Sequence, residues 1–166
     1  MTLRFKAKKF TLVTEKRRLP NGYTASVDMI LHPGAALIVP YLTQDKIVFI
    51  RQYRPVFKTC LYELPAGTLN PKEQPLACAK RELTEETGFA AKNIRLKGRI
   101  YPVPGYSDEV IFIFKATGMY KKDGVGDADE IIEVFPLTVN EIRRLFRSDK
   151  IFDAKTICAL ALCGVL

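Results

Sequence analysis

Four glutamates and an arginine stand at fixed distances from two glycines in the stretch Gly67–Phe89, GTLNPKEQPLACAKRELTEETGF. Glu82 and Glu86 are four residues apart and Glu82 and Glu85 three apart, so on a helix all three carboxylates project from neighbouring positions. Like charges at that spacing repel by a few tenths of a kcal/mol per pair. A hard divalent cation reverses the sign: Mg²⁺ or Mn²⁺ takes carboxylate and carbonyl oxygens, keeps several waters and bridges to substrate phosphates. The competing reading is an acidic, solvated helix face.

Positioning these side chains requires a loop followed by a helix. Pro65 and Gly67 flank Ala66 and discourage regular structure there, while Pro71 and Pro75 are tolerated only before or within a first helical turn. The spacing predicts a helix over 75–87, with Leu76, Ala79 and Leu83 on an apolar face and Gly88 as the stop signal.

The stretch resembles the Nudix box: a glycine, five residues, Glu, seven residues, Arg-Glu-apolar, one residue, Glu-Glu, one residue, Gly-apolar. Gly67, Glu73, Arg81, Glu82, Leu83, Glu85, Glu86, Gly88 and Phe89 fill every fixed position. At ordinary residue usage a chance match at a given start is on the order of one in 10⁹. The resemblance implies an α/β (α+β) fold, a mixed β-sheet sandwiched between helices. It also implies metal ligation by the backbone carbonyl of Ala66 and the side chains of Glu82 and Glu86, with Glu85 a further ligand, and two or three Mg²⁺ or Mn²⁺ ions per site. Arg81 would fix the box by pairing with a glutamate such as Glu73.

Upstream, residues 5–31 alternate as two or three antiparallel strands around a Leu-Pro-Asn-Gly turn at 19–22, and Thr24–Leu31 reads as a strand broken by His32-Pro33-Gly34. Ala35–Tyr41 and Lys46–Gln52 are β-rich runs with a predicted hairpin at 43–45. Arg51 and Arg54 flank Tyr53, ahead of Tyr62-Glu63-Leu64. Guanidinium groups there suit bidentate pairing with a diphosphate or a terminal sugar phosphate. Solvent-facing arginines on an edge strand are the alternative, and Glu63 is grouped with the substrate-binding residues.

Downstream, residues 94–102 and 109–118 read as strands around Val103-Pro104-Gly105-Tyr106-Ser107-Asp108. Pro104 lies sixteen residues beyond Gly88, and Pro104, Gly105, Ser107 and Glu109 look like the substrate loop of the Nudix group that hydrolyses ADP-ribose. The polar segment 121–130 is either a solvated loop or one that closes over a site, and DADEIIEV resembles the segment carrying the catalytic glutamate in similar enzymes. The resemblance points to Glu130, with Asp129 second, as general base. Residues 138–146 and 154–166 read as helices, the latter capped by Asp153 and similar in its DAKT to ADP-ribose hydrolases.

With 166 residues and 48% hydrophobic content the chain can build one substantial core. The cysteines at 60, 78, 158 and 163 and the single His32 show no zinc spacing; buried free thiols and a reducing cytoplasm are expected. No signal segment is apparent and the longest apolar run is too short for a bilayer, so a soluble protein is expected. The net charge of +8 is dispersed, consistent with solvated surface or with attraction of anionic substrates, and no nucleic-acid partner is expected.

The resemblance therefore implies hydrolysis of ADP-ribose to AMP and ribose 5-phosphate. Rival readings are another nucleoside diphosphate sugar such as GDP-mannose, or a non-catalytic nucleotide- or RNA-binding domain, which would be expected to lose box carboxylates. Residues 1–34 are expected to form an N-terminal β arm and 35–166 the Nudix domain. Similar hydrolases dimerise through such arms, implying a homodimer with Arg18 and Tyr23 as adenine contacts.

Overall fold

The computed structural model describes residues 1–8, 10–124 and 131–166. Strands dominate, in three sheets. β1 (Thr2–Lys6), β2 (Thr11–Arg18) and β3 (Thr24–Leu31) form an antiparallel N-terminal sheet. β4 (Ala35–Pro40), β7 (Ala66–Thr68), β8 (Phe89–Ile100) and β9 (Ile111–Lys121) form a mixed sheet in the order β7-β4-β9-β8, in which only β4 and β9 run parallel. β5 (Lys46–Arg54), β6 (Thr59–Glu63) and β10 (Ile132–Thr138) form an antiparallel sheet in the order β10-β5-β6. The helices are α1 (Pro75–Thr87), α2 (Val139–Arg147) and α3 (Ala154–Leu162).

β4, AALIVP, is buried at every residue because both its faces are covered. Successive strand side chains point to opposite faces. Ala36 and Ile38 accordingly pack with Cys78, Ala79 and Leu83 of α1, while Leu37 and Val39 pack with Ile47 and Phe49 of β5, Ile142 of α2 and Leu160 of α3. The sheet thus lies between α1 on one side and a layer of β5, α2 and α3 on the other.

That double burial explains a departure from expectation at 43–45. Apart from one bridge, Tyr41 to Ile47, β4 and β5 do not form a hairpin ladder; they enter different sheets. The expectation of irregular structure at Ala66 also fails, because β7 forms there by pairing with Ala35–Leu37, a long-range partner invisible to local propensity. Leu76 is 41% exposed, and Cys78 takes its place on the buried face of α1. Cys158 is exposed although it lies in an apolar run, as is Cys60, and all four cysteines are free. No described helix is long and apolar enough to cross a membrane.

α1 starts at Pro75 in the N1/N2 region with no side-chain cap on Gln74. It ends at Gly88 in the left-handed conformation (φ 67°), whose N–H donates to the Thr84 carbonyl at 2.9 Å, satisfying an otherwise orphaned acceptor. α2 begins with a capping box in which the Thr138 hydroxyl accepts from the Glu141 N–H and the Glu141 carboxylate from the Thr138 N–H. The N-terminal sheet is tied to the rest of the chain at Ile30, whose N–H donates to the Tyr106 carbonyl (2.8 Å) and whose carbonyl accepts from Asp108 (3.1 Å).

Candidate active site

A cleft of about 880 Å³ opens where α1, the β4–β7 edge, β5 and the N-terminus of α3 meet. Its wall carries Ala66, Gly67, Arg81, Glu82, Glu85 and Glu86 from the box, Gln52 and Arg54 from β5, Glu109, and Lys155 from α3.

The box folds around two close approaches. Glu86 accepts a hydrogen bond from the Ala66 N–H at 2.9 Å, which locks the turn against the last turn of α1. Glu82 lies directly on Gly67: a Cβ at that position would fall 1.8 Å from its Oε1 and 2.0 Å from its Cδ. The Glu82 carboxylate occupies the space of a side chain there, so a Cβ could enter only by displacing it. Glu82 and Glu86 are only 9% and 7% exposed, whereas Glu85 sits further out on the rim.

Arg81 holds the acids together. Its Nε and Nη2 bond both Glu73 oxygens at 3.0 Å, Nη1 reaches Glu82 at 2.6 Å and Glu85 at 2.9 Å, and Nη2 also donates to the Thr68 carbonyl. Hydrogen bonding to Glu73 leads the upward shift of the guanidinium pKa, and Arg81 in turn holds the Glu73 carboxyl below the usual range. Arg81 thus braces the box, pairing with Glu73 as the resemblance implied. Behind the turn, burial first, then the charges of Glu82 and Glu73, pushes the Cys78 thiol up to about 12, so it stays protonated.

A second polar cluster stands on the β5–β6 side. Glu63, 1% exposed, accepts a bidentate pair from Arg54 (Nε 2.7 Å, Nη2 2.6 Å) and a further bond from the Lys155 ammonium, which also contacts Asp153 at 2.9 Å. Burial alone would raise the Glu63 pKa, but the bonds and charges of Arg54 and Lys155 outweigh it and hold the carboxyl below its ordinary value.

The sequence-derived candidates divide by position. Ala66, Arg81, Glu82, Glu85, Glu86, Arg54 and Glu109 line one cleft, with Glu63 directly behind Arg54. Glu109 lies 3.7 Å from Nδ1 of His32, a nitrogen that itself accepts from the Gly34 N–H. Ser107 bridges to Ile30 and its hydroxyl accepts from Glu109 N–H, whereas Pro104 and Gly105 lie in an exposed turn away from the cleft lining. Arg51 is on the opposite face of β5 from Arg54, ion-paired to Glu133 at 2.5 Å. Arg18 and Tyr23 are exposed at the tip of the β2–β3 hairpin, outside this cleft. Glu130 and Asp129 lie outside the described residues.

Gln52 and Lys155 reach the cleft without having been singled out from the sequence. The alternation of β5 places Gln52 on the Arg54 face. Lys155 is brought in by Glu63, ninety-two residues away in the chain, a contact that no local pattern signals.

Whether this wall suits a divalent ion follows from its donors. Two nearly buried carboxylates and a bound turn present hard oxygen on one side of an open cleft, which suits Mg²⁺ or Mn²⁺. Among the described residues no three His, Cys, Asp or Glu side chains close into a cage. Mg²⁺ needs none, since it binds through one or two carboxylates, waters and substrate phosphates.

Residues 31–160 match the NUDIX domain, and the chain belongs to that family. Divalent-metal dependence is general among its hydrolases. The chain is 33% identical to a methanol dehydrogenase activator of Bacillus methanolicus and 34% identical to an ADP-ribose pyrophosphatase of Bacillus subtilis (strain 168). Each match covers 94% of this chain and 85% of the relative. A crystal structure of an ADP compounds hydrolase superposes with a TM-score of 0.83 at 23% identity, covering 98% of this chain and 88% of that one, and so shares the fold.

Proposed function

We propose that this chain hydrolyses the diphosphate bond of ADP-ribose, with a divalent metal, to AMP and ribose 5-phosphate. The observation that carries the proposal is the packing of the Glu82 and Glu86 carboxylates onto the Ala66–Gly67 turn at the wall of an open cleft. The similarity to an ADP-ribose pyrophosphatase over nearly the whole chain supports the substrate.

In this reading the Ala66 carbonyl, Glu82 and Glu86 hold Mg²⁺ or Mn²⁺, Glu85 contributes from the rim, and the site takes two or three ions. Metal ions held there would supply charge neutralisation for the diphosphate and a lowered pKa for the attacking water. Arg81 keeps the carboxylates in place from behind. Arg54, stiffened by Glu63, binds substrate phosphate as a preorganised donor. Glu130 or Asp129 accepts the proton of the attacking water as general base. The water oxygen bonds to one phosphorus, and the bridging oxygen leaves with the other. Glu109 orients the sugar side of the substrate, with Ser107 accepting from its backbone N–H, while Pro104 and Gly105 shape that loop from outside the cleft lining.

Residues 1–34 form an arm that pairs with a second copy, and 35–166 form the catalytic domain. Arg18 and Tyr23, at the tip of the arm's hairpin, then contact adenine in the partner's site across a homodimer, whereas Arg51, expected beside Arg54, is ion-paired to Glu133 on the other face of β5. The exposed apolar residues Leu3 and Phe5 on β1, with Met1 just before it, favour pairing of the arms. The reducing interior implied by four free thiols fits a cytoplasmic enzyme.

A panel of ADP-ribose, GDP-mannose and other nucleoside diphosphate sugars, assayed with Mg²⁺ and ranked by kcat/KM, tests the assignment. ADP-ribose is expected to rank first and EDTA to abolish release of AMP. A higher rank for GDP-mannose would move the substrate, and EDTA-resistant turnover would remove the metal.

A further inference from the structure

We infer that Lys155 is a substrate-contact residue, a second cation beside Arg54 that engages the phosphate charge of the substrate and is aimed by Glu63 and Asp153. The inference rests on the reading of the cleft as a diphosphate-hydrolase site.

An anionic substrate entering this cleft meets Glu82, Glu85, Glu86 and Glu109 and needs fixed positive charge to offset them. Of the cations on the wall, Arg81 already makes bonds to Glu73, Glu82 and Glu85, and Lys8 is solvent-exposed between β1 and β2. Arg54 and Lys155 remain, and both are anchored to one carboxylate, Glu63, that is 1% exposed.

The geometry around Lys155 exceeds what neutralising Glu63 requires. Arg54 alone already gives Glu63 a two-pronged partner, one N–H on each oxygen. Lys155 adds to Oε2 and is held from a second side by Asp153, 2.9 Å from Nζ. Asp153 is itself fixed, because it caps α3 by accepting from the Thr156 N–H (3.0 Å) and hydroxyl (2.6 Å). The Thr156 hydroxyl oxygen in turn accepts from the Leu64 N–H at 3.0 Å, tying α3 to the chain two residues before Ala66. An ammonium carries three donors. Two are spent on Glu63 and Asp153, leaving one for a ligand on a side chain only 20% exposed at the cleft wall. A lysine so braced loses little rotamer freedom when an oxyanion docks, and a charge-assisted bond from a partly desolvated ammonium is strong.

Lys155→Met is the test, assayed with ADP-ribose and Mg²⁺ and titrated by calorimetry with AMP and with ribose 5-phosphate. KM is expected to rise on the order of 10- to 100-fold with a smaller fall in kcat. Affinity for one of the two phosphate monoesters should drop by a similar factor, which identifies the phosphate that Lys155 contacts. Unchanged KM and unchanged affinity for both, with only a lower melting temperature, would make Lys155 a structural counter-charge and overturn the inference. Because that variant leaves a buried carboxylate with one partner fewer and can fail to fold, the wild-type protein supplies a second reading. Lys155 should be protected from amine acetylation by one of the two monoesters, as read by mass spectrometry, and protection by neither overturns the inference. Wild-type protein that binds the monoesters with Lys155 protected yet leaves ADP-ribose intact would sink the proposed substrate and leave the contact standing.

Discussion

Protonating Glu63 strips two cations of their shared partner, so the acid limb of stability should report on this one carboxyl. Its pKa is lowered in the fold, so the stability it contributes is fully present above the ordinary carboxylate value of about 4.3 and is lost as the pH falls through the lower folded value. Glu63→Gln is expected to be less stable at neutral pH by up to about 3 kcal/mol, discounted because Arg54 is 35% exposed, and to show a shallower loss of stability below about pH 4. Urea unfolding of both proteins from pH 3 to 7 measures the two slopes; parallel curves would mean that the cluster carries no linkage. The box acids and their spacing were legible from sequence, because helix periodicity and a dense motif fix them locally, and the Arg81–Glu73 pair was implied by the family resemblance. The Glu63–Lys155 contact was not, because it joins β6 to α3 and neither segment has a local reason to meet the other.

At the scale of elements, the turn before α1 is held by what it leaves out. Gly67→Ala would place a methyl 1.8 Å from a Glu82 oxygen, and the flexible end of that side chain can yield more readily than the backbone. The variant is therefore expected to fold with a melting temperature within a few degrees of the parent. Turnover should fall roughly 10²-fold or more, since the carboxylate is displaced by an ångström or more. A melting scan beside a rate assay separates the two effects; a large stability loss with normal turnover would show that the backbone, and not Glu82, had moved. The bounds of α1 follow from Pro75 and Gly88, residues whose backbone constraints act on their own. β7 and the divergence of β4 from β5 did not follow, because both are decided by which distant strand and which covering layer a short apolar run meets. Leu76 stays exposed in the first turn of α1, where the buried face is filled instead by Cys78, Ala79, Glu82, Leu83 and Glu86.

For the whole molecule, the proposed arm-to-arm homodimer should elute from gel filtration at about twice the chain mass. Deletion of residues 1–34 should give a monomer with a weakened KM for ADP-ribose, while a wild-type monomer with full activity would end that proposal. The charge of +8 adds long-range attraction for diphosphates, while the cleft wall itself sets Lys8, Arg54, Arg81 and Lys155 against Glu82, Glu85, Glu86 and Glu109. These features matter only if the carboxylates on the Ala66–Gly67 turn perform the chemistry. The most direct measurement is release of AMP from ADP-ribose in Mg²⁺ by the wild type beside Glu82→Gln and Glu86→Gln, each confirmed as folded by circular dichroism. Turnover is expected to fall by several orders of magnitude in both variants and to vanish with EDTA in the wild type; near-normal rates in the folded variants would contradict the assignment.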